Sequence, residues 1–118
     1  MIVGDQAEIT RRFTARDSAE FARLSGAEPM AGVPEPLIAA LFSYLLGVDL
    51  PGPGTNYLKQ SLRFHAPAPV DQALTARVRI TRMRPEKHLV DLATICHAAD
   101  GTLICDGRAL VLARDVAA

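Results

Sequence analysis

The stretch that decides the fold is Val33-Pro34-Glu35-Pro36-Leu37-Ile38-Ala39-Ala40-Leu41-Phe42-Ser43-Tyr44-Leu45-Leu46-Gly47. Prolines stand where a helix takes its first turn and a glycine stands just past the last apolar residue, so the pattern predicts a helix that stops at Gly47. Between those limits the segment is apolar on nearly every side. A helix without a polar face has to be enclosed by other structure. At about 1.5 Å per residue it is roughly 20 Å long, the width of a small sheet. The apolar run from Leu37 to Val48 is interrupted by Ser43 and Tyr44 and is too short to span a bilayer.

Downstream the period changes from helical to two. Pro51-Gly52-Pro53-Gly54 forms a rigid turn. After it, Leu58, Leu62 and Phe64 face one way and Tyr57, Lys59, Ser61, Arg63 and His65 the other. Leu74, Ala76, Val78 and Ile80 alternate with Thr75, Arg77, Arg79 and Thr81 in a second strand, and Arg84 to Lys87 make a turn. Leu89 to Cys96 is apolar on both faces, as a central strand would be. Asp100-Gly101 is a two-residue hairpin signal, and Leu103 to Ala113 closes the sheet. Counting outward from that turn sets Cys96 opposite Cys105. Two neighbouring buried thiols are the ordinary reading, since direct cross-strand disulfides tend to be strained.

Upstream, Thr10 to Phe13 read as a short first strand. Asp17 and Glu20 have the spacing of a capping box for a helix carrying Phe21 and Leu24 and stopping near Gly26. The order is therefore strand, helix, apolar helix, then four long antiparallel strands. One economical solution buries the apolar helix: the sheet curls round it and turns its charged face outward. The expectation is an α+β protein of hotdog type, a single domain over 1–118 with its core at about 10–113, its long antiparallel sheet wrapped around one central helix.

The chain has 118 residues, enough for one domain. Lys+Arg and Asp+Glu are balanced at 13 each, so there is no basic footprint for nucleic acid or for a membrane surface. Met1 to Asp5 lack the basic and apolar regions of a secretion signal, and a cytoplasmic protein is expected. Two cysteines spaced as Cys96 and Cys105 match no metal motif, and no metal is expected. Phosphate-binding glycine loops and H-E-x-x-H are absent as well.

Leu45-Leu46-Gly47-Val48-Asp49-Leu50-Pro51-Gly52-Pro53-Gly54, Tyr57-Leu58, Gln60-Ser61-Leu62-Arg63-Phe64 and Ala66-Pro67 resemble the MaoC-like dehydratases, which include the (R)-specific enoyl-CoA hydratases. The resemblance spans roughly residues 10 to 113. It implies a hotdog dimer with two sheets joined edge to edge, and an acyl thioester carried on CoA or acyl carrier protein. The implied reaction hydrates a trans-2-enoyl thioester or dehydrates the (R)-3-hydroxy product, with no cofactor beyond the CoA thioester itself. Such chemistry needs a base for water, an acid for the α-carbon, and backbone donors for the thioester oxygen. The family draws its Asp and His from a segment of the type S-G-D-x-N-P-x-H. Here that segment reads Ser25-Gly26-Ala27-Glu28-Pro29-Met30, and no His lies between Gly26 and Gly47. The intervening loop is shortened, and the family's A-H-G-M becomes Val33-Pro34-Glu35-Pro36.

Glu35 is then the candidate catalytic residue. It keeps the one N–H between two prolines and brings a carboxylate, which also suits a first helical turn. Glu28 reads as a solvated loop acid. Glu35, Gln60 and Tyr57 are the candidates for substrate contact, Gln60 because it interrupts an apolar face and a buried amide needs partners. Arg63 and Arg77, on the outward face with Arg79, are the candidates for the phosphates of CoA; a charged solvent face is the ordinary alternative. His65, His88 and His97 read as surface histidines with no carboxylate at a suggestive spacing, and no G-x-S-x-G marks Ser25 or Ser61 as a nucleophile. Three functions compete: a hydratase or dehydratase, an acyl-CoA thioesterase built on Glu35, and a non-catalytic acyl-binding subunit that pairs with an intact paralogue instead of with itself.

Overall fold

A computed structural model describes residues 1–116. Five strands form one antiparallel sheet: β1 (Gln6–Arg12), β2 (Asn56–Phe64), β3 (Ala73–Arg84), β4 (Leu89–Ala98) and β5 (Leu103–Leu112), in the order β1-β3-β4-β5-β2. Strand β4 lies at the centre, as its two apolar faces require, and β1 and β2 are the edges. Helix α1 (Ala15–Ser25) follows β1, and α2 (Glu35–Tyr44) lies across the sheet. The chain thus has the α+β hotdog architecture anticipated from the pattern of elements.

The core joins one face of α2 to the inward face of the sheet. Ile38, Leu41, Phe42, Leu45 and Leu46 meet Leu74, Ala76, Val78, Ile80, Leu92, Cys96 and Val111, all buried. Each of the Leu, Ile, Val and Phe side chains among them contributes about 1.5–3 kcal/mol by leaving water. Three bulges let the strands bend around the helix: at Leu58 in β2, at Thr81 in β3, and at Ile104 in β5.

Several local expectations are corrected. Helix α1 begins a turn earlier than the Asp17 cap implies. Thr14 is the N-cap: its Oγ1 accepts from the Asp17 N–H at 3.0 Å, while its own N–H donates to Asp17 Oδ2 at 2.8 Å. Threonine followed by aspartate at N3 satisfies the same two donors one turn upstream. Leu24 is 72% exposed, so the expected Phe21–Leu24 stripe is not what α1 buries; Ser18 is. Helix α2 continues past Gly47 as a π-turn, Leu45–Asp49, and the chain turns at Leu50 instead.

The enclosure of the central helix is also incomplete. Pro36, Ala40, Tyr44 and Val48, spaced four apart on one side, are exposed, with Tyr44 at 46% and Val48 at 50%. The bulge at Leu58 reverses the first residues of β2: Tyr57 turns inward opposite Val111, and Leu58 is left 48% exposed. Gln60 lies opposite the inward-facing Ala109 yet is exposed, because β2 is an edge strand. The final hairpin has three loop residues rather than two. Ala98 N–H donates to Thr102 O at 2.9 Å, Gly101 N–H donates to Ala98 O at 3.0 Å, and Gly101 takes the left-handed conformation with φ 88°. The bulge at Ile104 then restores the count, so Cys96 does face Cys105; both are buried, free thiols.

Gly107 holds the last constraint. A Cβ there would drive into the Ser61 carbonyl oxygen and reach 3.0 Å from Leu62 Cα, so β2 can close over β5 only across a glycine. Gly107→Ala should lower stability by about 3 kcal/mol or more, read as a fall in the urea midpoint. Gly47 meets nothing within 4 Å, so Gly47→Ala should hold or raise stability by about 0.5–1 kcal/mol. A Gly107→Ala midpoint equal to the parent's would mean that β2 is not held over this residue.

Candidate functional site

The segment between α1 and α2 is short and tied down at both sides. The hydroxyl of the buried Ser18 donates to Gly32 O at 3.0 Å and to Met30 O at 3.3 Å. Val33 N–H donates to Ala68 O at 2.9 Å, and a Cβ on Gly32 would lie only 2.8 Å from that same oxygen. The loop is therefore pressed against the β2–β3 connection. Gly26 ends α1 in the left-handed conformation, with φ 75° and its N–H on Ala22 O. Glu28 is exposed on the loop.

Where this loop meets α2 a cleft of about 380 Å³ opens, lined by Met30, Gly32, Glu35, Ile38, Phe64 and Ala68 among others. Its floor is apolar; its carboxylate is Glu35. Pro34 is the N-cap, with no side-chain cap, and Glu35 is the first helical residue. Its N–H, at the first helical position, has no acceptor within the helix. Glu35 makes no ion pair among the described residues. Its charge is felt below the cleft. The Cys105 thiol is pushed up by its hydrogen bond with Cys96, then by burial, and further by the Cys96, Asp106 and Glu35 charges.

The other candidates lie elsewhere. Tyr57 and Gln60 sit further along β2 and do not line this cleft. The Tyr57 phenol is pushed up to about 12 by burial, and its oxygen makes no hydrogen bond among the described residues. Arg63 and Arg77 stand on the outward face, across the sheet from α2. Arg77 is held by Glu8 at 3.0 Å, and Arg63 lies opposite Asp106. His65 contributes to the cleft rim, and its Nε2 lies 2.8 Å from Asp106 Oδ1. That partner corrects the reading of His65 as a histidine without a carboxylate. The two residues are 41 apart in sequence, and only the β2–β5 register brings them together. No cluster of His, Cys, Asp or Glu among the described residues would hold a metal ion, and none of their helices is long and apolar enough to cross a membrane.

A five-stranded antiparallel sheet bent over one apolar helix, with a cleft at the start of that helix, defines a hotdog-fold protein. No protein-family model matches the chain. It is 37% identical to the (R)-specific enoyl-CoA hydratase of Aeromonas caviae over 124 residues, covering 92% of each. That span exceeds the 118 residues of this chain, so the relative carries residues absent here. The solved (R)-hydratase from A. caviae involved in PHA biosynthesis superposes with a TM-score of 0.86, over 94% of this chain and 96% of that one, at 37% identity. The unliganded R-hydratase PhaJ1 from Pseudomonas aeruginosa gives the same TM-score at 30% identity, over 95% of this chain and 81% of its own. The chain belongs to the MaoC-like hydratase family.

The buried phenol gives a test of the structure around β2. The folded-state value of Tyr57 is raised above an unfolded value of about 10. Its contribution to stability is thus complete below pH 10 and is lost as pH climbs toward 12. Alkaline absorbance titration should show one late-ionising tyrosine, and Tyr57→Phe should remove it and flatten the fall of stability in that window. A late step that survives in Tyr57→Phe would place the buried phenol elsewhere.

Proposed function

We propose that this chain binds an acyl thioester, carried on CoA or acyl carrier protein, in the cleft at the start of α2, and acts there as a hydratase or dehydratase. The observation that carries the reading is the cleft itself: it lies at the start of the central helix of a hydratase fold and holds a carboxylate and a backbone donor on one residue. The Glu35 N–H donates to the thioester oxygen, where negative charge develops. The Glu35 carboxylate takes a proton from water as the water oxygen bonds to C3. The C2=C3 electron pair moves toward C2 and the thioester oxygen. The Glu35 carboxylic acid then returns a proton to C2, so both transfers balance on one group. This replaces the Asp and His that the resemblance leads one to expect between Gly26 and Gly47. Released thiol in place of hydrated product would assign Glu35 to thioester hydrolysis instead.

Loss of the enoyl-thioester absorbance of crotonyl-CoA measures the reaction. Glu35→Gln should reduce it at least about 100-fold, the lower end of what a positioned acid–base group contributes. Equal rates for Glu35→Gln and the parent would remove Glu35 from the chemistry. Binding of crotonyl-CoA by thermal shift with no turnover would leave an acyl-binding chain. That outcome favours the second reading, a subunit paired with an intact paralogue, for which the missing histidine speaks.

The first reading, a hydratase or dehydratase, includes a homodimer. The free edge of β2 offers unpaired backbone groups and carries the exposed Leu58, and the open side of the central helix leaves Tyr44 and Val48 uncovered. A second copy covers both features by a self-complementary contact. Sedimentation of the pure chain should give twice its mass, and Val48→Glu should give the monomer. A monomeric parent would exclude the homodimer.

A further inference from the structure

The outward face of the sheet reads as a set of ladder rows, and one of them differs from its neighbours. In the row Glu8–Arg77–Ile95–Asp106–Arg63 cations alternate with acids, and Arg77 and Glu8 pair at 3.0 Å. On the other side, Arg82 lies opposite Asp91, and Arg84 bonds that same carboxylate at 2.9 Å. The row between them is Gln6–Arg79–Ala93–Arg108–Ser61. It has no carboxylate. Every side chain but the alanine is a hydrogen-bond donor, and Arg79 and Arg108 make no ion pair among the described residues.

A solvated antiparallel face needs charge, but it needs charges of both signs, because like charges side by side are destabilising. Here two arginines flank one methyl group at the middle of the sheet, two strand spacings apart, or about 9.5 Å between their backbones. Above Ala93 and Ile95 the surface forms a trough of about 500 Å³, walled by Arg77 and Arg79 on one side and Asp106 and Arg108 on the other. That volume suits a small molecule. The one acid in the wall, Asp106, is already bonded to His65 at 2.8 Å. The forked guanidinium donors of Arg79 and Arg108 remain, and they match the geometry of phosphoryl oxygens.

We propose that this trough is an anion site for a small phosphorylated molecule, with Arg79 and Arg108 converging over Ala93 on one phosphoryl or diphosphate group. It lies on the face of the sheet opposite α2 and is independent of the chemistry assigned to Glu35. The carrier of the phosphoryl group is either CoA itself or a separate phosphorylated metabolite.

Isothermal titration of the whole chain with inorganic pyrophosphate at low salt tests the site. Saturable one-to-one binding is expected, weakening as salt is added. In the double variant Arg79→Gln/Arg108→Gln it should be at least about tenfold weaker, the consequence of losing charge-assisted hydrogen bonds. Because the substitutions relieve like-charge repulsion, the melting temperature of that variant should not fall, which separates lost binding from lost folding. A parent that shows no saturable binding, or a double variant that binds as the parent does, overturns the proposal. Free CoA distinguishes the two sources. One-to-one competition with pyrophosphate assigns the phosphoryl group to CoA, and binding of both together assigns the trough to a separate metabolite.

Discussion

Burial of the Ile38–Phe42–Leu46 side of α2 against the inward face of the sheet is the contact on which the rest of the molecule depends. It supplies the largest side chains of the core, Phe42 and Ile38 among them. It also dictates the shape of the sheet, because strands that stayed flat could not follow a helix about 15 Å long. The bulges at Leu58, Thr81 and Ile104 and the bare backbone of Gly107 all answer that demand. Each adds bend or removes an atom where β2, β3 and β5 must turn. The same contact fixes the start of α2 against the β2–β3 connection, so the cleft follows from core packing.

The tethered loop follows from the same arrangement. With few residues between Gly26 and Pro34, the chain reaches α2 only by running close to the sheet. The close approach of Gly32 to Ala68 O and the two acceptors of the Ser18 hydroxyl record that path. A loop fixed in this way has little room to present side chains of its own. The polar group it leaves at the cleft belongs to the helix, as Glu35. A carboxylate carried on a helix is placed more precisely than one carried on a loop.

Much of this was legible in the sequence, because hydrophobic period is set by burial and burial sets the fold. The apolar run to Leu46, the alternation from Leu74 to Ile80 and the doubly apolar Leu89–Cys96 named the helix, a half-buried strand and the central strand. What failed was counting past irregularities. One extra residue at Leu58 turned Tyr57 inward, and no pattern in Tyr57-Leu58-Lys59 announces it. At the last hairpin two such departures offset each other, a three-residue loop and a bulge, so the facing of Cys96 and Cys105 was right although the turn beside it was not. The bond from His65 to Asp106 was hidden for another reason: it depends on long-range register, which local spacing does not encode. The open side of α2 was hidden because composition cannot say whether an apolar surface is covered within the chain or by a second one.

The two faces of one sheet differ in character, and the strand period keeps them apart. Residues of β3 and β5 alternate between Ala76, Val78, Ala109 and Val111, which meet the core, and Arg77, Arg79 and Arg108, which do not. A chain with 13 charges of each sign has no electrostatic character as a whole. Yet the outward face sets Lys59, Arg63, Arg77, Arg79, Arg82, Arg84 and Arg108 against Glu8, Asp91 and Asp106, while Glu35, Asp49 and Glu28 lie on the helices and loops of the other side. Neutral composition therefore conceals a charge separation across the sheet. An anion approaching from solvent meets a field that favours the outward face, while an uncharged acyl chain finds apolar walls only on the inner side. A ligand with both parts would have to pass round one of the two edges of the sheet, β1 or β2, to use both surfaces.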